Sequence, residues 1–279
     1  MAGTGMMRIE IADEADVAAM VDWAAREGWN PGLADAACFR SADREGFLVG
    51  RVGGQRVACI SVVRYGAVHG FLGFYICAPE WRGHGHGWEI WQAGMARFAG
   101  RSVGLDGVVA QQDNYRRSGF VLAHRNIRHS GLVAAVAADD PTIVPGSFAS
   151  LVAFDERMFG AARPEFLRAW LSAPGHVALT RIVDGAPRGY GVARPCREGT
   201  KIGPLFARDP ESADALFRAL AARSTGPVIL DLPEPNGEAL ALARRHGLAP
   251  VFETSRMYRG HPPDLPLAEI YGVTSFELG

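Results

Sequence analysis

The chain has 279 residues, 48% apolar and 21% charged, and its 29 basic and 30 acidic side chains leave a formal charge of −1. That length suits two domains with sizeable cores, and the missing basic excess argues against a nucleic-acid binder. With no apolar run long enough to cross a membrane, no secretory leader at residues 1–5 and four cysteines that form no Cys-x-x-Cys pair, a cytoplasmic protein without disulfides or zinc is expected.

Asp13 stands where it caps a helix whose apolar residues Val17, Met20, Val21 and Ala24 recur at helical spacing, until Gly28 and Pro31 stop it. Residues 47–52 and 57–64 are β-rich runs split by Gly53-Gly54, a hairpin signal. A third strand, 71–77, runs into a glycine-rich turn. The helix beyond it carries Trp88, Trp91, Met95 and Phe98 on one stripe, which should pack on the sheet. A strand at 103–105, a short helix near Tyr115 and a strand from Phe120 follow.

From Pro164 the same order restarts: a helix, strands at 177–183, 190–194 and 200–206, a helix at 212–223, a strand at 228–232, a helix at 238–246 and a strand at 251–258. Helix, hairpin, strand, helix, strand, helix, strand is thus written twice. It predicts an α/β chain of two similar domains, 1–135 and 140–279, each a mixed sheet flanked by helices. The joint lies near 131–150, where Asp139-Asp140-Pro141 and Pro145-Gly146 stand. One large α/β domain with recurring elements is the competing reading.

The sharpest local signal is Pro79-Glu80-Trp81-Arg82-Gly83-His84-Gly85-His86-Gly87, between a strand and an amphipathic helix. Glycines let the backbone turn tightly and approach a ligand closely. Successive amides and the positive end of the next helix dipole then suit phosphate oxygens. A dinucleotide fingerprint needs a different third glycine spacing, and a P-loop needs a terminal Gly-Lys-Ser/Thr. His84 and His86 lack the further ligands a metal site requires.

Arg82 through Gly87 resembles the Arg/Gln-x-x-Gly-x-Gly/Ala signature of GNAT-superfamily acyltransferases, and Tyr75 through Trp81 resembles the strand and lead-in before it. Asn114-Tyr115-Arg116-Arg117-Ser118-Gly119-Phe120 is similar to the family's Tyr-x-x-x-Gly-Phe ending, although Gly107 stands where an asparagine is usual. In the second half Asp209-Pro210-Glu211 replaces the glycine loop and Ala243 the tyrosine, so that domain resembles a GNAT fold without its CoA site. The whole resembles the tandem GNAT proteins.

The resemblance implies an N-acetyltransferase that uses acetyl-CoA and no metal, moving the acetyl group to a small-molecule or peptide amine by direct attack on the thioester. It implies that Arg82, Gly83, His84, Gly85, His86 and Gly87 hold the pyrophosphate, and that Ile76, Cys77 and Ala78 hold the pantetheine arm. Tyr115 is the expected proton donor to the leaving sulfur, against a packing role beside Phe120. Asp106 is the expected general base, against a helix cap, with Glu80 and His69 as weaker choices. Trp29 and Asn30 are expected to wall the acceptor site, against a plain helix stop. A transferase using another acyl-CoA and a CoA-binding sensor or scaffold without turnover are the alternatives. The assembly is expected to be a monomer or homodimer with no nucleic-acid or membrane partner. The second domain is expected to be silent and to complete the first domain's acceptor pocket, with residues 262–279 packed between the two.

Overall fold

The structure, a computed structural model, describes residues 6–134 and 140–279. Of the expected joint near 131–150, residues 135–139 lie outside the described residues, as do residues 1–5.

The first half contains β1 (Arg8–Ile11), α1 (Glu14–Arg26), α2 (Asp35–Ala42), β2 (Phe47–Val52), β3 (Gln55–Tyr65), β4 (His69–Cys77), α3 (His86–Ala96), β5 (Ser102–Val108), α4 (Gln112–Arg117) and β6 (Val121–Gly131). The second contains β7 (Ile143–Pro145), α5 (Phe148–Phe159), α6 (Pro164–Ser172), β8 (Val177–Val183), β9 (Ala186–Pro195), β10 (Thr200–Ala207) and α7 (Pro210–Ala221). It continues with β11 (Val228–Pro233), α8 (Gly237–Arg245), β12 (Ala249–Arg259) and β13 (Ile270–Gly272). Asp13 caps α1 as expected, and the Asp16 carboxylate returns a bond to the Asp13 amide.

The two halves share one sheet, in the order β1-β2-β3-β4-β5-β12-β6-β11-β10-β9-β8-β7. The last long strand of the second half, β12, lies between β5 and β6, pairing antiparallel with both, while β6 pairs with β11. Each half thus completes the other's sheet. This corrects the expectation that each domain closes its own. Alternating strands all expose the same kind of edge, so pairing order is decided by packing and not by pattern.

Helices α3 and α4 cover the first half of one sheet face, α7 and α8 the second, each over its own apolar core. A third core draws on both halves, joining Phe39, Phe47 and Phe74 to Phe154, Trp170, Tyr190 and Phe206. Phe39 stacks on Trp170 at 5.9 Å between ring centres. Each such ring is worth about 1.5–3 kcal/mol when buried, so separating the halves exposes a core.

Candidate active site

Strands β4 and β5 run parallel from His69 opposite Ser102 to Leu72 opposite Leu105, and their pairing ends there. At that point β4 bulges: Gly73 faces Ser61 and Ile76 faces Cys59, leaving Phe74 and Tyr75 opposite Ile60 alone, with Phe74 at φ +46°. The divergence opens a cleft of about 430 Å³, lined among others by Trp29, Phe74, Tyr75, Cys77, Tyr115 and Glu277.

Ala78 donates its amide to the Val57 carbonyl, at 2.9 Å. Because successive amides of a strand point to opposite sides, Ile76 likewise faces β3 and Cys77 faces the open edge. Of the three residues expected to hold pantetheine, Cys77 alone presents its amide to the cleft. Ile76 lines the cleft without turning its amide to it, while the expectation for Ala78 is corrected to a role in pairing with β3.

Beyond β4 a single 3₁₀ turn, Pro79–Trp81, leads into Gly83 at φ +81° and Gly85 at φ +89°. Side chains rarely adopt that conformation, which is why glycine stands at both. Nothing lies within 4 Å of a Cβ built at either position, so the space in front of the loop is open. The first α3 amides have no acceptor within the helix, and that of Gly87 meets the Cys77 thiol. A glycine turn of backbone donors before a helix N-terminus suits an anion.

The loop side chains are less free than its amides. Arg82 donates to the Cys77 carbonyl at 2.9 Å and pairs with Glu27 at 2.5 Å, so it braces the loop against the end of α1. His84 is exposed and bonded to the Arg82 carbonyl, and His86 packs against Trp81. Trp88 is 56% exposed, which corrects its placement in the core. Ile90, Trp91, Met95 and Phe98 form the buried stripe instead.

Tyr115 stands in α4, 8% exposed, with its ring stacked on Trp91 and facing the cleft. Burial raises its pKa, so the phenol keeps its proton at neutral pH. Gly107, on β5, stands under this ring: a Cβ there would lie 2.2 Å from the Tyr115 ring edge. The departure from asparagine thus makes room for the tyrosine.

Asp106 does not fit the role of base. Arg256 on β12 grips its carboxylate with bonds of 2.9 and 2.6 Å, and Asn126 on β6 adds one of 2.8 Å. The side chain is fully buried. Asp106 is a clamp on the exchanged strand, a role invisible until β12 and β6 are known to lie beside β5. Glu80 and His69 fall outside the residues lining the cleft.

Trp29 lines the cleft, and its carbonyl accepts a 2.8 Å bond from Arg128 of β6. Asn30 does not face it. Its amide makes two bonds to the Glu198 backbone, at 2.8 and 3.1 Å, which stitch the loop after α1 to the second half. The expected substrate role of Asn30 is corrected to this stitch. Burial pushes the Cys38 thiol up to about 12, so it is no thiolate at neutral pH.

Comparison with known proteins agrees with this geometry. A family model described as "Acetyltransferase (GNAT) family" matches residues 11–120, and one described as "Acetyltransferase (GNAT) domain" matches 151–272. A holothin acyltransferase from Pseudoalteromonas sp. (strain SANK 73390) is 34% identical over 264 residues, covering 92% of this chain and 90% of that protein. The chain is a tandem GNAT acyltransferase.

Solved structures show the same fold at lower identity. A candidate acetyltransferase from Pyrococcus horikoshii superposes with a TM-score of 0.84 at 20% identity, covering 100% of this chain and 98% of that one. A tandem GNAT protein from the clavulanic acid biosynthesis pathway does so at 0.59 and 14% identity, covering 93% of this chain and all of that one. GNAT enzymes use acyl-CoA cosubstrates and amine acceptors. Among the described residues no cluster of metal-ligating side chains forms, and no helix is long and apolar enough to cross a membrane.

The second GNAT half has the same V, filled by its own chain. Strands β10 and β11 pair from Thr200–Val228 to Ile202–Leu230 and then part. Into the gap runs β13, pairing with β10 at Leu205 and Phe206, while the Val273 amide donates to Asp231 of β11 at 2.7 Å. Asn236 caps α8 and also donates to the Ile270 carbonyl at 2.9 Å, holding the plug. Asp209 caps α7 through the Ser212 amide at 2.7 Å, and Ala243 is buried in the core.

Past β13 the chain crosses to the first V, where Phe276 and Glu277 line the cleft beside Phe252 of β12. Sequence reasoning expected residues 262–279 between the halves but named none of these three as site residues, nor Tyr75. A single acid inside the otherwise uncharged run 270–279 was the available signal for Glu277.

Proposed function

We propose that the chain moves an acetyl group from acetyl-CoA to a compact primary amine, in the cleft beside β4, which residues of the second half help to wall. The observation that carries this reading is the bulged, open V between β4 and β5, with the amide loop at one end and Tyr115 facing its interior. The amides of Gly83–Gly87 would hold the pyrophosphate, and the Cys77 amide the pantetheine arm. Tyr115 would donate its proton to the sulfur as the thiolate leaves.

The size of the cleft favours a compact acceptor. About 430 Å³ must take the end of the pantetheine arm and the acceptor together. Trp29, Phe74, Phe252 and Phe276 give that space flat apolar walls, which suit an amine on a planar or aromatic body. The similarity to a holothin acyltransferase over nearly the whole chain supports a non-protein acceptor, and holothin belongs in the first panel. The test is CoA-thiol release from acetyl-CoA and longer acyl-CoAs across that panel, with calorimetry alongside. Release with an amine and one CoA bound per chain supports the reading; release that no amine accelerates would sink it.

A further inference from the structure

We propose that Arg128 of β6 is a positioning residue for the acceptor: together with Lys201 of β10 it sets three of the cleft's flat walls, Trp29, Phe252 and Phe276, and so decides how tightly a planar amine is held. This rests on the transfer reading above and names what fixes its acceptor preference.

The three walls come from distant stretches of chain: the loop after α1, strand β12 and the segment following β13. One guanidinium reaches all of them. Arg128 Nη1 donates to the Trp29 carbonyl at 2.8 Å, which fixes the backbone from which the indole projects. The guanidinium carbon lies 4.9 Å from the centre of the Phe276 ring and 5.7 Å from that of Phe252. Arg128 is 5% exposed and does not itself line the cleft, whereas the residues it meets do. It stands behind the wall and acts on the acceptor through it.

The exchanged sheet puts it there. Along β6, Arg128 is paired with Phe252 of β12 on one side and with Asp231 of β11 on the other. Directly opposed residues of neighbouring strands share a sheet face, so all three side chains meet. Asp231 accepts from Arg128 Nε and Nη2 at 2.7 and 2.8 Å. That two-pronged grip fixes the plane of the guanidinium and leaves Nη1 for Trp29.

Asp231 orders a second cation. Lys201, the chain's single lysine, is buried with its Nζ 3.9 Å from the same carboxylate, and it donates to the Asn30 carbonyl at 3.0 Å. Two cations on one acid thus hold two consecutive carbonyls of the loop that carries Trp29. Asn30 stands at φ +50°, an uncommon conformation for a residue with a side chain, and these bonds support it. Burial raises the proton affinity of Asp231, but Arg128 and Lys201 outweigh it and hold the carboxyl below its ordinary value. The anion therefore persists at neutral pH, and the cations stay in place.

The experiment compares wild type with R128K and K201M, using acetyl-CoA with one planar and one linear aliphatic amine from the panel. It measures kcat and KM for each amine, the Kd for acetyl-CoA and the melting temperature. R128K keeps a charge for Asp231 but has neither the fork nor the flat face. We expect its KM for the planar amine to rise about tenfold or more, with kcat and acetyl-CoA affinity changing little. The ratio of kcat/KM between planar and linear amines should fall by a similar factor. K201M should show the same pattern more weakly, because Arg128 still holds Asp231. A folded R128K with wild-type KM and an unchanged ratio would overturn this proposal alone. So would equal losses with both amines accompanied by weaker acetyl-CoA binding, the mark of a general loosening between the halves. If R128K fails to fold, K201M decides: a KM rise confined to the planar amine supports the assignment, and wild-type KM for both amines refutes it. Absence of amine-dependent CoA release by the wild type would sink the transfer reading and this proposal with it.

Discussion

The two halves begin from the same device and finish it differently. In each, two parallel strands pair for three or four residues and then part, at Leu72–Leu105 in one and Ile202–Leu230 in the other. In the first half the gap stays open, and a loop with two left-handed glycines stands beside it. In the second, β13 enters the gap and takes up the free backbone groups of β10 and β11. An opened sheet has unsatisfied amides and carbonyls, and some partner must meet them. The second half meets that need with its own chain, and the first leaves its gap open. The same ten residues, 270–279, then plug one V and wall the other.

The comparison is broken most severely at Gly85. Gly85→Asp forces a side chain into a left-handed position and adds a negative charge to the cradle. Acetyl-CoA binding should disappear from calorimetry while the melting curve persists. Unchanged affinity would remove the cradle from the first half.

Asp106→Ala comes next, as a test of what joins the halves. Removing the partner of buried Arg256 should cost about 3–5 kcal/mol of stability in urea unfolding, because the guanidinium is left uncompensated. If stability holds and turnover collapses, Asp106 belongs to the chemistry after all. Tyr115→Phe should lower kcat by roughly a hundredfold with acetyl-CoA affinity little changed, since the hydroxyl acts as charge develops on sulfur. Wild-type turnover with a good acceptor would leave Tyr115 a packing residue against Trp91.

The smallest effect sharpens the contrast from the other side. Asp209→Ala strips the α7 cap and should cost about 1 kcal/mol, with no change in acetyl-CoA affinity or in its ratio of one per chain. A change in either would mean that the second V takes part in binding.

Much of this was legible before any coordinates. The glycine loop, the strand before it and Tyr115 could be read because backbone conformation and short-range spacing are local properties. So could the helix cap that stands in place of a glycine loop in the second half, since Asp209-Pro210-Glu211 carries its own cap chemistry. Asp106 and Asn30 were misread for one shared reason: each bonds to a residue more than a hundred positions away, Arg256 and Glu198. Trp88 was placed in the core because a stripe gives a helix face and not where along the helix the sheet ends.

The sequence by itself determined the repeated order of helix, hairpin, strand, helix, strand, helix and strand and the fold family, because periodicity, caps and turn residues act within a few positions. Elements β1, α2, β7, α5 and β13 were not among those expected from it. Only the tertiary structure decided that β12 and β6 are exchanged, that β13 plugs the second V, and that Glu277 stands in the first. Those outcomes depend on which exposed strand edge and which buried apolar face find each other. Many pairings satisfy the same alternating pattern, and the lowest in energy is chosen by the packing of the whole chain.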